Sequence, residues 1–379
     1  QFLEYFNNLF ENNNYTKAAL ENLPTAYDYI RLGHPLSCIL EWIIGNLTHQ
    51  NANHIISFSS KTIPVLAILR KNQLENKKTQ ILYTDEIDTF FNPEIVKKVY
   101  NYQFEFKKIN DLNTVDKFDG STIFITQKED ICNFNTNSII DFFINFNKNL
   151  GSILLINGDK NNHYISDIQH VRRRETIAMT PKNVLIALQS LVSKTSFKEK
   201  STDTASNKKV VLDTIKKITQ TNLNPLVASS GLSIQYAIMM GLIDDAQENY
   251  PEKAIKFIVP PNCYGGTNDQ ARRVAACIEN VEIVDLPVDG DNDMVKSIDT
   301  VLTKIASDDA IPYIIAEIPT NPRVEVPNLI DLKNVLTIKR TTKSGSLAVD
   351  PVFILDQTFC PNVHFLGEGK MLSTIRTIS

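Results

Sequence analysis

Short apolar runs and amphipathic stretches alternate along the chain from about residue 35 onward. The first apolar runs are "HIISFSS", "TQILYTDE", "STIFITQ" and "GSILLING", with amphipathic stretches such as "LSCILEWIIGNL", "IPVLAILRKN" and "NPEIVKKVYNY" among them. A second series comprises "NPLVASS", "KAIKFIVPP", "NVEIVDLP", "YIIAEIP" and "PVFILDQ", separated by helices predicted over 231–246, 267–278, 293–306 and 328–338. Strands that alternate with helices predict an α/β fold with a mainly parallel sheet between helices.

The pattern divides the chain into four segments. These are a helical N-terminal arm over 1–27, a first α/β unit over 28–192, a polar linker or loop over 193–210, and a second α/β unit over 211–379. The order "HIISFSSK", helix, "TQILYTDE", helix, "YQFEFKKI" parallels "PLVASSG", helix, "IKFIVPP", helix, "VEIVDLP". This parallel fits a degenerate duplication, although any two βαβ runs look alike.

Composition excludes several classes of protein. The 379 residues carry a net charge of −4, which gives no support to nucleic-acid binding. The five cysteines form no CxxC pair, so we expect a reducing compartment and a cytoplasmic location. No apolar run reaches the length of a membrane span. The acidic stretch "DGDND" lacks the rest of a calcium loop, so no metal site is predicted.

Two strand ends of the second unit carry backbone features suited to a ligand. After "NPLVA", the sequence Ser229-Ser230-Gly231-Leu232 opens an apolar helix, whose free N–H groups suit a phosphate. An ordinary helix cap by Ser230 is the alternative. After "IKFIVPP", Tyr264 precedes two glycines, with Thr267 or Asn268 as the expected cap of the next helix. The Tyr264 ring can stack on a flat ligand there, or it can pack in a plain turn.

Two further strand ends carry polar side chains. Asn321 follows "YIIAE" and stands between two prolines, which fix its backbone and allow its amide to bind a ligand oxygen. A rigid loop is the alternative. Asp356 ends the apolar run "PVFIL", where an unpaired charge would cost several kcal/mol, so we expect a partner for its carboxylate. In open α/β sheets, ligands bind beyond the carboxyl ends of the strands.

Taken in this order, the four strand ends resemble the Cys/Met-metabolism family of pyridoxal-phosphate enzymes, which includes cystathionine γ-synthase and the cystathionine lyases. The matching pieces, within about residues 225–360, are "SSGLSIQYA", "YGGT", "PTNP" and "ILDQTF". The family usually has Val-Asp-Asn-Thr-Phe at the last of these. The resemblance implies an aspartate-aminotransferase-like (type I) large domain that binds pyridoxal 5'-phosphate.

The resemblance also implies a role for each strand end. The backbone amides of Gly231 and Leu232 would hold the cofactor phosphate, and Tyr264 would stack on the pyridine ring. Asn321 would bind the phenolic oxygen, and Asp356 would keep a proton on the pyridine nitrogen. The implied cofactor-binding set is completed by Ser230 and Thr358.

In the family, a tyrosine–x–arginine motif binds the cofactor phosphate of a neighbouring subunit. "YDYIRLGHPLSCILEW" is similar to it and gives Tyr29 and Arg31, which implies a homodimer or homotetramer. The run 172–175, Arg-Arg-Arg-Glu, is a competing anion site, with a solvated charge run as its alternative. In the first unit, Lys61 replaces the glycine of the Ser-Ser-Gly pattern.

The family's Schiff-base lysine follows its aspartate by roughly two dozen residues. Counted from Asp356, this position falls past Ser379, and Lys370 in "FLGEGKML" is too early. We therefore expect a chain that ends before its catalytic lysine, without the C-terminal small domain and inactive by itself.

The resemblance implies an enzyme of sulfur amino-acid metabolism (transsulfuration). It would catalyse β- or γ-elimination or γ-replacement on cystathionine, cysteine, methionine or homoserine esters. A catalytically inactive homologue that acts as a binding or scaffold subunit is the alternative, favoured by Lys61 for residues 30–160 only. A nucleotide-binding α/β protein is a weaker third hypothesis, because neither GxGxxG nor GxxxxGK[ST] is present.

Overall fold

The computed structural model covers residues 1–379 and divides them into two compact units, Gln1–Lys200 and Ser201–Ser379. The residues described are all except 28, 88–89, 132–133, 135–136, 148, 194–202, 289–292, 321–322, 362, 364–373 and 378–379. For 374–377 only the backbone is described.

Unit 1 contains seven helices and six strands within its described residues. The helices are α1 Phe2–Glu11, α2 Lys17–Glu21, α3 Pro35–Thr48, α4 Ile63–Leu74, α5 Pro93–Tyr100, α6 Ile165–Glu175 and α7 Pro181–Ser193. The strands are β1 Ile55–Phe58, β2 Thr79–Tyr83, β3 Glu105–Lys108, β4 Ser121–Thr126, β5 Phe142–Asn147 and β6 Gly151–Ile156. Short 3₁₀ turns lie at Ala52–His54, Leu112–Thr114 and Asp159–Tyr164.

The sheet of unit 1 has the order β1-β6-β5-β4-β2-β3. Strands β5, β4, β2 and β3 are parallel, as the helical crossovers predict, whereas β6 runs antiparallel to both β5 and β1. Strand β5 is additional to the strands predicted from the sequence. Gly151 begins β6 at a φ of +125°, where a Cβ would lie 2.1 Å from the Phe58 carbonyl oxygen. Only glycine therefore fits where β6 meets β1.

Unit 2 contains five helices and five strands within its described residues. The helices are α8 Thr204–Thr219, α9 Gly231–Asn249, α10 Gly265–Ala275, α11 Met294–Ser307 and α12 Leu329–Thr337. The strands are β7 Ile255–Val259, β8 Val281–Asp285, β9 Ile311–Glu317, β10 Val352–Asp356 and β11 Thr374–Thr377.

The sheet of unit 2 has the order β11-β10-β9-β7-β8, and every pairing in it is parallel. The predicted α/β class with a mainly parallel sheet is thus confirmed. The order β10-β9-β7-β8 repeats the order β5-β4-β2-β3 of unit 1. Because βαβ connections favour such orders in unrelated chains as well, the duplication stays a prediction.

One predicted strand does not form. "NPLVASS" (224–230) has no strand conformation, and Leu226 in it is 82% exposed. In unit 1, β1, which the predicted duplication would match to this segment, pairs with the antiparallel strand β6 among the described strands. The described strands of unit 2 include no antiparallel strand, so the segment lacks a ladder to join.

The polar linker predicted over 193–210 is partly helical. Its residues 194–202 lie outside the described part, but α8 begins at Thr204, where the Asp203 side chain accepts from the Ser206 N–H at 2.9 Å. The arm forms the two expected helices, and α1 contacts α3. The rings of Phe6 and Phe10 lie 5.4 and 5.0 Å from the Trp42 ring.

The charge run 172–175 is not a solvated face, which corrects that alternative. Arg172 is fully buried and donates to Glu41 Oε1 at 2.8 Å, and Glu175 is buried against Arg70, whose Nη2 donates to Glu175 Oε2 at 2.9 Å. Residues three apart lie on one helix face, and this face of α6 points into unit 1. The sequence alone does not show that Arg172 and Glu175 have buried partners.

Every helix among the described residues is too short or too polar to cross a membrane. The same part of the chain holds no cluster of histidine, cysteine, aspartate and glutamate able to bind a metal ion.

Candidate functional site

The start of α9 presents a group of hydroxyls and two available N–H groups. Ser230 is the N-cap, and its Oγ accepts from the Ser233 N–H at 3.2 Å. The Ser233 hydroxyl lies 2.8 and 2.9 Å from those of Ser230 and Ser229. Within the described residues, nothing accepts from the N–H groups of Gly231 and Leu232, as expected at a helix start. The capping alternative for Ser230 is therefore observed, and it leaves the first two amides open to an anion.

Tyr264 occupies the start of the next helix. Helix α10 begins at Gly265, directly after Tyr264, rather than behind a cap at Thr267 or Asn268 as the sequence predicts. The reason is that the N–H groups of Thr267 and Asn268 already bond to the Tyr264 carbonyl, at 2.9 and 3.3 Å. The two glycines are thus the first helical residues, and Tyr264 is the last residue of the loop after β7.

The first turns of α9 and α10 lie side by side. The Gln270 side chain in α10 donates to the Leu232 carbonyl at 2.9 Å. The Thr267 hydroxyl donates to the Gln235 side-chain oxygen at 3.3 Å. Both residues of α10 are buried. These bonds hold the amides of α9 next to the helix that begins at Tyr264.

Asp356 ends β10 at the carboxyl edge of the sheet and is half-buried. Its Oδ1 accepts from the Thr358 N–H at 2.9 Å and from the Thr358 hydroxyl at 2.7 Å. Thr358 is therefore the partner that the sequence left open. In the part of the chain that the structure describes, Oδ2 accepts no hydrogen bond, so this oxygen can accept from a ligand.

Glu317 is a site residue that the sequence reasoning missed. It ends β9, is 7% exposed, and accepts from the Tyr264 N–H at 2.9 Å through Oε1. It is also the register partner of Asp356 in the neighbouring strand. The signal was present in the sequence, because "YIIAE" ends in an acid after a buried apolar run, as "PVFILD" does.

Cys263, next to Tyr264, is unsuited to act as a nucleophile. Burial, and then the negative charge of Glu317, raise the pKa of its thiol to about 12. The thiol is therefore protonated near neutral pH, whereas nucleophilic cysteines are thiolates.

The other predicted residues are placed as follows. Asn321 and Lys370 lie outside the described residues. Tyr29 and Arg31 belong to unit 1, where the Arg31 guanidinium bonds to the Tyr29 hydroxyl and lies 4.6 Å from its ring centre. The Arg173 guanidinium lies 4.9 Å from the same ring. The pair Tyr29 and Arg31 and the run 172–175, which the sequence offers as competing anion sites, therefore lie together in one cluster of unit 1.

The residues of unit 2 are chemically suited to pyridoxal phosphate. A helix start with open amides and hydroxyls fits the phosphate, and the loop carrying Tyr264 adjoins it through α10. The free Oδ2 of Asp356, one strand beyond Glu317, fits a protonated ring nitrogen.

No family model matches the chain, and no curated protein matches it. Solved structures match parts of the chain. The metB structure from Corynebacterium glutamicum is 19% identical, with 39% of this chain and 31% of that chain covered and a TM-score of 0.26. An O-acetylhomoserine sulfhydrylase from Wolinella succinogenes is 19% identical, with 38% and 34% covered and a TM-score of 0.24.

Cystalysin from Treponema denticola, whose structure contains a pyridoxal 5'-phosphate cofactor, is 12% identical, with 49% and 42% covered and a TM-score of 0.27. The chain spans less than half the length of each of these three structures. Overlaps of this size assign neither a reaction nor a substrate to the chain.

Proposed function

We propose that unit 2 binds pyridoxal 5'-phosphate and that the full-length protein is an enzyme of sulfur amino-acid metabolism. One observation carries the proposal. The start of α9 is hydrogen-bonded beside α10, Tyr264 at the start of α10 is bonded to Glu317, and Glu317 is in register with Asp356. The open amides of α9, the Tyr264 ring and the Asp356 carboxylate thus belong to neighbouring elements that are linked by hydrogen bonds and strand pairing.

Each residue then has a defined task. The amides of Gly231 and Leu232, with the hydroxyl of Ser230, bind the phosphate. Tyr264 stacks on the ring and excludes water from one of its faces. Asp356 holds a proton on the ring nitrogen through Oδ2, and Thr358 orients the carboxylate by bonding to Oδ1. When bound, the cofactor supplies the electron sink for chemistry at the amino-acid substrate.

The reaction class in this proposal is β- or γ-elimination, or γ-replacement, in transsulfuration. The substrates are cystathionine, cysteine, methionine or homoserine esters. The proposal includes Asn321 at the phenolic oxygen and a cytoplasmic location. It is supported by the motif order "SSGLSIQYA", "YGGT", "PTNP" and "ILDQTF".

The alternative, a scaffold role without catalysis, is favoured for unit 1. Residues 59–62, between β1 and α4, make their contacts with other residues of unit 1. Ser59 bonds to the Ile177 carbonyl at 3.2 Å, and Thr62 bonds to the Phe90 carbonyl at 2.8 Å. The Lys61 ammonium lies 5.0 Å from the centre of the Phe90 ring. We propose that unit 1 supports assembly rather than chemistry.

Replacing Asp356 tests the proposed function. Asp356→Asn in the full-length protein should keep the fold, because the amide has the same shape and can still accept from Thr358. It should lower turnover on the order of a thousandfold, since the neutral amide no longer favours a protonated ring nitrogen. Turnover and the absorbance of the added cofactor measure this effect, and circular dichroism checks the fold.

Two results would contradict the proposal. A wild-type protein that does not bind pyridoxal 5'-phosphate would remove the cofactor assignment. Near-normal turnover of Asp356→Asn would show that the carboxylate is structural.

A further inference from the structure

Glu317 is a buried carboxylate whose oxygen reaches a backbone N–H on another element. It ends a strand, β9, in which all seven residues are buried. Its Oε1 accepts from the Tyr264 N–H at 2.9 Å, across 53 positions of sequence. A hydrogen bond to an ionised carboxylate is about twice as strong as one between neutral groups. This bond therefore ties the loop after β7 to the end of β9.

The bond restrains the backbone of Tyr264, from which its side chain projects. Tyr264 has φ −48° and ψ 123°, and Gly265 and Gly266 follow it as the first helical residues. Glycines leave the backbone free to rotate, so they do not define where a preceding ring points. An acceptor on the Tyr264 N–H restrains the backbone from which the ring projects. The positive N-terminal end of α10 favours a negative charge at this position.

Glu317 also lies next to the strand that carries Asp356. The two residues are register partners, and the Ile318 N–H donates to the Asp356 carbonyl at 3.0 Å. A shift of Glu317 would therefore change the placement of the Tyr264 loop relative to Asp356. Glu317 therefore links the Tyr264 loop to the strand that ends at Asp356.

We infer that Glu317 is a positioning residue, which holds the Tyr264 loop so that the ring covers a cofactor whose nitrogen meets Asp356. The inference rests on the proposed function. In this role Glu317 acts through its bond to the Tyr264 N–H rather than by touching the cofactor. Its removal should therefore matter only while the tyrosine ring is present.

A double-mutant cycle tests this dependence. The variants Glu317→Ala, Glu317→Gln, Tyr264→Ala and the double Glu317→Ala/Tyr264→Ala are made in the full-length protein, and each is titrated with pyridoxal 5'-phosphate. Glu317→Ala should weaken binding about tenfold in the wild-type background. It should have little further effect when Tyr264 is already alanine. Glu317→Gln should retain most of the affinity, since its amide oxygen can accept the same N–H.

Controls separate positioning from general stability. Glu282→Ala removes a surface carboxylate that pairs with Lys256 in the same sheet and should leave binding unchanged. Unfolding of each variant by urea without cofactor reports stability by itself. If Glu317→Ala does not fold, Glu317→Asp keeps the charge but is one methylene too short for the bond, and it should show the same loss of affinity.

The outcomes are distinct. An equal loss with and without the Tyr264 ring, or no loss at all from Glu317→Ala, would overturn the positioning role while cofactor binding by the wild type upholds the proposed function. A wild type that binds no pyridoxal 5'-phosphate would overturn both.

Discussion

The described part of unit 1 contains two buried ion pairs, Arg172 with Glu41 and Arg70 with Glu175. Arg172 Nη1 bonds to Glu41 Oε1 at 2.8 Å and to the Ser57 carbonyl at 3.0 Å, and the Ser57 N–H and hydroxyl both donate to the same carboxylate. Burial and the nearby Glu41 raise the pKa of Tyr27 to about 12, although Arg172 opposes this shift. Such a cluster is stable only while every member is present.

Removing one partner of this pair should be costly. Glu41→Ala leaves the Arg172 guanidinium buried without its carboxylate, and we expect the free energy of unfolding to fall by about 3–5 kcal/mol. Urea denaturation measures the change. Glu21→Ala, which removes an exposed pair with Lys17, is the control and should cost at most about 1 kcal/mol. Equal effects of the two substitutions would contradict the prediction.

Among the helices, the starts of α9 and α12 have similar caps in different settings. Ser230 accepts from the Ser233 N–H at the start of α9. Asn328 accepts from the N–H groups of Ile330 and Asp331 at the start of α12. Only the start of α9 adjoins α10 and the proposed cofactor site.

The two caps should therefore separate stability from binding. Ser230→Ala and Asn328→Ala should each lower the free energy of unfolding by about 1 kcal/mol. Only Ser230→Ala should also weaken the binding of pyridoxal 5'-phosphate, by about tenfold. The reason is that, in the proposed site, the Ser230 hydroxyl binds the cofactor phosphate. Titration of both variants with the cofactor checks this, and equal affinities would remove Ser230 from the site.

At the scale of the whole molecule, buried thiols and phenols should make the fold sensitive to alkali. Burial is the largest cause that raises the pKa of five groups to about 12, namely Tyr27, Cys38, Tyr100, Cys263 and Tyr313. Their ordinary values are 9.0 for cysteine and 10.0 for tyrosine. The folded state thus retains protons that the unfolded chain loses.

The free energy of unfolding should accordingly be constant with respect to these groups below about pH 9 and fall as the pH rises towards 12. Denaturation by urea at a series of pH values measures the slope. Tyr313→Phe removes one of the five groups and should make the slope shallower. A stability that does not change up to pH 11 would contradict the assignment of these groups as buried and protonated.

Assembly is the second property at this scale. We expect the full-length protein to form at least a dimer, because Tyr29 and Arg31 resemble residues that bind the phosphate of a neighbouring subunit. Sedimentation velocity at assay concentration measures the mass. Arg31→Ala should weaken cofactor binding in the assembled protein, and a monomeric wild type would rule out this role.

The sequence by itself determined the local structure and the order of the site. Apolar runs and helical periodicity depend on neighbouring residues, so the strands β7 to β10 and the helices between them follow from the pattern. The same holds for the placement of Tyr264 and Asp356 at strand ends. Their connection within one site required the strand order.

Only the tertiary structure decided the features that depend on distant partners. The segment 224–230 has the composition of a strand but has no neighbour with which to pair in the described sheet. Arg172 reads as part of a solvated run, yet Glu41, 131 positions away, makes it a core residue. Glu317 meets the Tyr264 N–H, 53 positions away. Backbone ladders and buried charges are stabilised by groups far apart in the chain, and local sequence does not specify which groups will meet.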